Sequence, residues 1–355
     1  MQRVPEDKAR TLTDGLGVRR LATDPLDGTL VEVLDITPAL AAHEGFEAAL
    51  RTRAGRLSNA SIERLAAVRR IERDGSALRV IADHVDGLRL PDLLQEAQRG
   101  DVMWPPEAAA ALSAQIIRVV AALHGTARLS HGAITPAHIV VSRKGTVTLT
   151  DGIFGPGLEL LNRNRHHVWR EFGVALPPSA TLPRFDQRSD VTALGATVLA
   201  VMLGRTLRHE EYPREIADLV TAVTLGASRG KTGSEVSALR MWLQHALCLH
   251  PRSMVATAVD AECAFADVEG PPMTRRAGMT ALRSALRRIY GETPAAAKAV
   301  TLAAAWSQPG VVHSAVRPPS GGHVADESAL VIPEEPSRAR RESLFRSVFH
   351  NFWTN

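Results

Sequence analysis

Five titratable residues stand in short turn-rich or strand-like segments where side chains can converge. They are Asp14 in LTDGLG (12–17), Glu32 in LVEVL (30–34), His131 and His138 in HGAITPAH (131–138), and Asp151 in TDG (150–152). Asp151 is a magnesium candidate through its carboxylate oxygens; its plainer role is to cap backbone groups of its own turn. His131 and His138 carry metal-ligating nitrogens, but no third ligand accompanies them, so hydrogen-bonded structural histidines are the simpler reading. Gly15 and Gly17 would let backbone N–H groups approach a phosphate, whereas Asp14 and Glu32 would repel one. Lysine is scarce: Lys8, Lys144, Lys231 and Lys298 are the only ones, so none lies between 8 and 144. The run GASRGKT at 226–232 imitates a phosphate loop, but with three residues between its glycines instead of four, and it reads as a flexible loop within helical sequence. His166-His167, in NRNRHH, reads as a solvated loop.

The elements that would position these residues change character along the chain. Residues 11–86 read as short strands around one helix. LVEVL is strand-like, 46–57 places Phe46, Ala49, Leu50 and Leu57 on one helical face, and 78–85 is a strand closed by Asp86-Gly87. Residues 87–268 are mostly helical. Pro105-Pro106 opens a helix to about Leu123, strands at 139–141 and 147–150 flank a Lys144-Gly145 turn, and a loop of about forty residues precedes an apolar helix from Ser189.

Composition removes several function classes. The 355 residues hold 45% apolar and 23% charged side chains and carry a formal charge of +4, which describes a globular chain. Cys248 and Cys263 are the only cysteines, too few for a disulfide framework, and no CxxC or Cys/His spacing suggests zinc. Aromatics make up 4% of residues and the arginines are scattered, unlike a nucleic-acid-binding surface. The first residues, MQRVPEDKARTL, hold no apolar signal core, and the longest uncharged apolar run, 191–203, is too short to span a bilayer, so a cytoplasmic protein is expected.

The segments LHGTARLSHGAITPAHIVV (123–141) and TVTLTDG (146–152) resemble the catalytic core of protein kinases, including bacterial Ser/Thr kinases: Leu-His, a His-Arg-Asp-x-Lys-Pro-x-Asn loop, a hairpin and Asp-Phe-Gly. The resemblance extends in order through DHVDGLRLPDLL (83–94) as hinge and following helix, SDVTALG (189–195) as a buried helix, and HPRSMVATA (250–258) as the closing Asp-Pro-x-x-Arg segment. It covers roughly residues 11–268. It implies an α+β, two-lobed kinase-like fold: a small β-rich lobe with one main helix at 11–86 and a larger helical lobe at 87–268. An N-terminal arm (1–10), a helical extension (269–308), a disordered linker (309–342) and an aromatic tail peptide (343–355) would complete the chain.

The same resemblance implies a damaged site. Phosphoryl transfer needs a strand lysine and helix glutamate on the phosphates, an aspartate orienting the acceptor hydroxyl, and metal-binding Asn and Asp residues. Those positions hold Glu32, Ala49, Ala133 and His138, with Asp151 as the surviving member, and Thr135 replaces the loop's second lysine. Residues lining a nucleotide cleft would be Asp14, Gly15, Gly17, Asp83, Val85 and Asp151. Residues 152–178 contain no Ser, Thr or Tyr, so no phosphorylation switch can operate there. The family's Ala-Pro-Glu appears as Pro177-Pro178-Ser179 and its partner arginine as Met254, a paired loss. Asp190 is expected to accept backbone hydrogen bonds from the His131 loop.

The implied function is a catalytically inactive scaffold or allosteric signalling module with protein partners, no cofactor, and neither ATP nor magnesium bound. The alternatives are an enzyme with rewired nucleotide chemistry and a sensor that binds ATP without turnover. Phe345, Val348, Phe349 and Phe352 recur at helical spacing beside Trp353, marking a partner-binding peptide. Arg338, Arg340, Arg341 and Arg346 leave peripheral membrane contact as its rival.

Overall fold

The computed structural model describes residues 11–291 except 61, 103, 180, 228–232 and 250–254. The expected arm (1–10), the part of the helical extension from 292 to 308, the linker (309–342), the aromatic tail, Met254 and residues 228–232 of the GASRGKT run lie outside the described residues.

The small lobe begins with β1 (Thr11–Thr13), β2 (Gly17–Thr23) and β3 (Leu30–Ile36). A short α1 (Pro38–Ala41) and a long α2 (Phe46–Ala60) precede β4 (Val68–Asp74) and β5 (Ala77–Asp83). The five strands pair antiparallel in the order β1-β2-β3-β5-β4. Period-two alternation sets their faces: in β3, Leu34 and Ile36 join the core beneath the sheet, and Glu32 lies on the same face. Helix α2 buries Phe46, Leu50 and Arg53.

The large lobe starts at β6 (Leu88–Arg89) and α3 (Leu90–Arg99), where Pro91 occupies the first turn without losing a helical hydrogen bond. It continues with α4 (Pro106–Ala122), β7 (Ile139–Val141), β8 (Val147–Leu149), α5 (Gly155–Leu160), α6 (Arg165–Phe172) and α7 (Gln187–Leu203). Then follow α8 (Ile216–Ala227), α9 (Gly233–Ala246), α10 (Ala258–Glu269) and α11 (Pro272–Tyr290). Helices α4 and α7 are apolar on nearly every side and form the lobe's centre. The helical run Pro106–Ala127 is long and apolar enough to cross a membrane, yet 83% of its apolar window is buried inside the fold. Helix α11 packs on α4 and buries Leu282, Leu286 and Ile289; its terminal Tyr290 accepts from Leu88 N at 2.8 Å and donates to the Val141 carbonyl. The start of the expected extension is therefore part of the large-lobe core.

Two sequence expectations need correction. The forty-residue loop contains α5 and α6. Asn164 caps α6, accepting from His166 N and His167 N at 3.1 and 3.0 Å, so the two histidines open a helix and are not in a loop. Helix α5 packs against α2, where a Cβ on Gly157 would come within 2.8 Å of the Phe46 ring.

Candidate functional site

The cleft between the lobes is closed by a network of charges centred on Arg19. Alternation from Gly17 along β2 turns Arg19 inward and leaves it 2% exposed. Its Nε meets Asp14 Oδ2 at 3.0 Å, and one Nη lies 3.1 Å from Glu32 Oε1 and 2.8 Å from Asp151 Oδ1. The other Nη is buried without a partner among the described residues. Arg89, from the β6–α3 junction, closes the other side: one Nη reaches Glu32 Oε1 and Oε2 at 2.8 and 2.7 Å, and the other stands 4.0 Å from Asp151 Oδ2. His138 Nδ1 lies 2.6 Å from the Ala133 carbonyl, and its Nε2 faces Asp14 and Asp151 at 3.9 Å each, an electrostatic contact too long for a hydrogen bond.

Asp14 and Asp151 are held ionised by these neighbours. Burial raises the Asp14 pKa, but the His138 ring and the Arg19 guanidinium outweigh it and hold the group down to about 2. Burial also opposes ionisation of Asp151, and Arg19, His138 and Arg89 together push its pKa well below the usual carboxylate range. Burial would lower the Arg19 pKa; Asp151, Asp14 and Glu32 raise it instead. Neither oxygen of Asp151 is free, since Oδ1 takes Arg19 and Oδ2 takes the Thr150 hydroxyl at 2.6 Å. The sequence assigned Asp151 to capping its own turn and set Asp14 and Glu32 to repel phosphate. In the structure all three spend their charge on arginines.

The glycine-bearing turn lies in the cleft. Asp14 Oδ1 accepts from Leu16 N and Gly17 N at 2.8 and 3.2 Å, which folds the turn tightly. Leu16 is buried in one core cluster with Phe172, Val174 and Leu176 from the segment after β8. Gly15 lies directly on the end of α6, and a Cβ there would stand 2.0 Å from the Glu171 carbonyl oxygen. Gly15→Ala should therefore lift the turn off α6. We expect a stability loss of about 1–3 kcal/mol, as for other overpacked sites, and faster amide exchange across 14–17 and 171–173. Unchanged exchange at both segments would refute the contact.

Below this lid, Ala133 is 0% exposed. The loop beneath it is tied by Asp190, which accepts from His131 N and Gly132 N at 2.5 and 2.7 Å and pairs with His124 Nε2 at 2.9 Å. His131 is fully buried, its Nε2 on the Thr150 carbonyl at 2.9 Å and its Nδ1 accepting from Ala133 N at 3.2 Å. Thr135 is buried, and its hydroxyl lacks a partner among the described residues.

The site thus gathers Asp14, Glu32, His138 and Asp151, with Gly15 and Gly17 above them and Ala133 and Thr135 below. Asp83 joins a different network, bonding Arg69 Nε at 2.5 Å while the Arg69 Nη meets Asp27. Val85 is half-buried in the connection between β5 and β6. The reading of Ala49 also changes. Ala49 is half-buried one turn away, and the α2 side chain that enters the cleft floor is Arg53, donating to the Gly152 carbonyl at 3.1 Å and to the Ser130 carbonyl. Arg19, Arg53 and Arg89 were the functional-site residues missed in the sequence. Alternation from Gly17 marked Arg19, and the four-residue step back from Leu57 marked Arg53.

Lobes, sheet order and connecting hinge define a two-lobed protein-kinase-like fold. Solved kinase domains share it. The Mycobacterium tuberculosis PknI kinase domain, in a mutant form with one cysteine replaced by alanine, matches with a TM-score of 0.52 at 18% identity, over 74% of this chain and 94% of that one. The PknI kinase domain without that substitution gives 0.51 at 17%, over 74% and 94%. The maize SIRK1 (sucrose-induced receptor kinase 1) kinase domain bound to AMP-PNP gives 0.54 at 17%, over 73% and 91%. These likenesses establish the fold alone. No family model and no curated protein matches the chain.

Proposed function

We propose that the chain is a pseudokinase, a cytoplasmic kinase-like module that works in signalling by presenting its surface to protein partners and does not transfer phosphate. The observation that carries this reading is the Arg19 guanidinium, buried against Asp14, Glu32 and Asp151 in the cleft between the lobes. Phosphoryl transfer depends on placing charge around nucleotide and metal. ATP with magnesium does not fit here, because the carboxylate that would hold the metal already holds Arg19 and Thr150. The acceptor position is equally unsuited: Ala133 offers no carboxylate and no exposed surface.

The test is thermal melting with ATP up to millimolar concentration, alone and with Mg²⁺ or Mn²⁺. We expect no shift under any of these conditions, and no phosphoryl transfer to protein substrates. Ala133→Asp should leave transfer absent, because catalytic groups that act as a unit are not repaired singly. A metal-independent shift would identify a nucleotide sensor, and a metal-dependent shift with turnover would identify an enzyme. Either result would overturn the proposal.

A further inference from the structure

The 19 residues of helix α11 include Arg275, Arg276, Arg283, Arg287 and Arg288 and no Asp or Glu. One side of the helix, with Gly278, Leu282, Ala285, Leu286 and Ile289, is buried on the large lobe. At 3.6 residues per turn, Arg276, Arg283 and Arg287 fall within about 40° of one another on the outward side and run about 16 Å along the axis. All three are exposed, and among the described residues none forms an ion pair or a side-chain hydrogen bond. Arg283 and Arg287 are an i, i+4 pair of like charge, which works against a helix.

The turn between β7 and β8 adds to this row. It packs on the helix, where a Cβ on Gly145 would lie 3.2 Å from Leu286 Cδ1. Its Lys144 is exposed and equally unpaired among the described residues, and Arg143 lies 5.2 Å over the Tyr290 ring. The other charges near α11 lie to its flanks. Arg275 Nε donates to the Gly270 carbonyl at 2.9 Å and shares a small recess with Glu107 and Glu269, of which Glu269 is held by Arg118 at 2.5 Å. Arg288 borders a second recess with Glu96 and Asp101.

We propose that Arg276, Arg283, Arg287 and Lys144 form a docking surface for an anionic lipid bilayer. A row of cations along the crest of an exposed helix meets a flat anionic sheet with all its members at once, and lipid phosphates and carboxylates relieve their mutual repulsion. Met273, 73% exposed at the start of the same helix, offers a flexible apolar side chain to the headgroup boundary. Nucleic acid would call for a stacking aromatic beside the cations, and the aromatic of α11, Tyr290, is buried against the backbone of Leu88 and Val141. Stable peripheral binding takes two signals. The second is in the sequence beyond this helix, where Arg338, Arg340, Arg341 and Arg346 accompany Phe345, Val348, Phe349 and Phe352. The surface needs no nucleotide in the cleft.

The test is cosedimentation of the full chain with phosphatidylcholine vesicles, with and without phosphatidylserine. Wild type should bind the vesicles that contain phosphatidylserine, ignore the neutral ones, and lose binding as salt is raised. Arg276→Gln with Arg283→Gln and Arg287→Gln should weaken binding at least about tenfold, since each cation near such a surface contributes about fivefold. Its melting temperature should stay at the wild-type value. Arg287→Gln alone should cost about fivefold, should the triple variant fold poorly. The control removes three exposed arginines elsewhere, Arg56→Gln, Arg163→Gln and Arg214→Gln, and should bind as wild type does. The proposal is overturned if wild type does not bind the phosphatidylserine vesicles, if the α11 variants bind as wild type does, or if the control loses as much as the triple variant. A stripe that serves an acidic polypeptide or a nucleic acid would give the first of these results.

Discussion

Arg19→Met should be among the most damaging single substitutions in this chain. The new side chain approximates the volume of the old one but leaves Asp14, Glu32 and Asp151 facing one another, with Arg89 as their remaining guanidinium. Removing one member of a buried ion network costs about 3–5 kcal/mol, because the others stay buried without compensation. For a domain of this size that is a fall in melting temperature of roughly 10 °C. The control is Arg19→Met combined with Asp14→Asn and Glu32→Gln. Neutral amides in place of two carboxylates should recover most of the loss, so the substitutions should be strongly non-additive. An Arg19→Met protein that melts within about 1 °C of wild type would show that the network does not stabilise the fold.

The second large effect is pH-dependent and centres on His131. Burial lowers its pKa from 6.5 to about 4. The hydrogen bonds agree with a neutral ring, Nε2–H donating to Thr150 O and Nδ1 accepting from Ala133 N. Between pH 6.5 and 4 the unfolded chain therefore binds a proton at this residue and the folded chain does not. The stability it contributes is complete above the unfolded pKa and is lost as pH falls toward the folded one, by about 3 kcal/mol in all. His131→Gln keeps a donor for Thr150 and removes the titration. Urea unfolding of the two proteins at half-unit pH steps should show the difference between them changing by that amount across the window. A constant difference would mean that His131 is not held neutral.

Much of the fold was legible because it depends on patterns that run along the chain. Helices α4 and α7 announce themselves through unbroken apolar composition, and β7 and β8 through β-branched runs around Lys144-Gly145. Helices α5 and α6 were hidden because GPG at 155–157 and NRNRHH read as turn formers, although Asn164 followed by Val168, Trp169 and Phe172 carries a cap and an apolar face. The candidate site was legible in its carboxylates and His138 and not in the arginines that meet them. Glu32, Ala133 and His138 are conspicuous beside a kinase pattern, whereas Arg19 in GVRRLAT looks like a surface strand residue. What makes it central is its meeting with Asp14, Glu32 and Asp151, which come from three separate segments. Arg53 was missed for a related reason, since a charged residue on a helix is read as solvated until the carbonyls of Gly152 and Ser130 are placed against it.

The Arg19 network also bears on how this chain can change over evolutionary time. Its members neutralise one another, so each is needed while the rest remain. A lineage that gained a lysine at position 32 while Arg19 and Arg89 remained would set three cations against Asp14 and Asp151. One that lost Arg19 first would pass through the destabilised intermediate described above. Each of these single steps thus descends in stability before a second substitution can compensate for it. The arginine acts as a ratchet, favouring retention of the whole network in descendants.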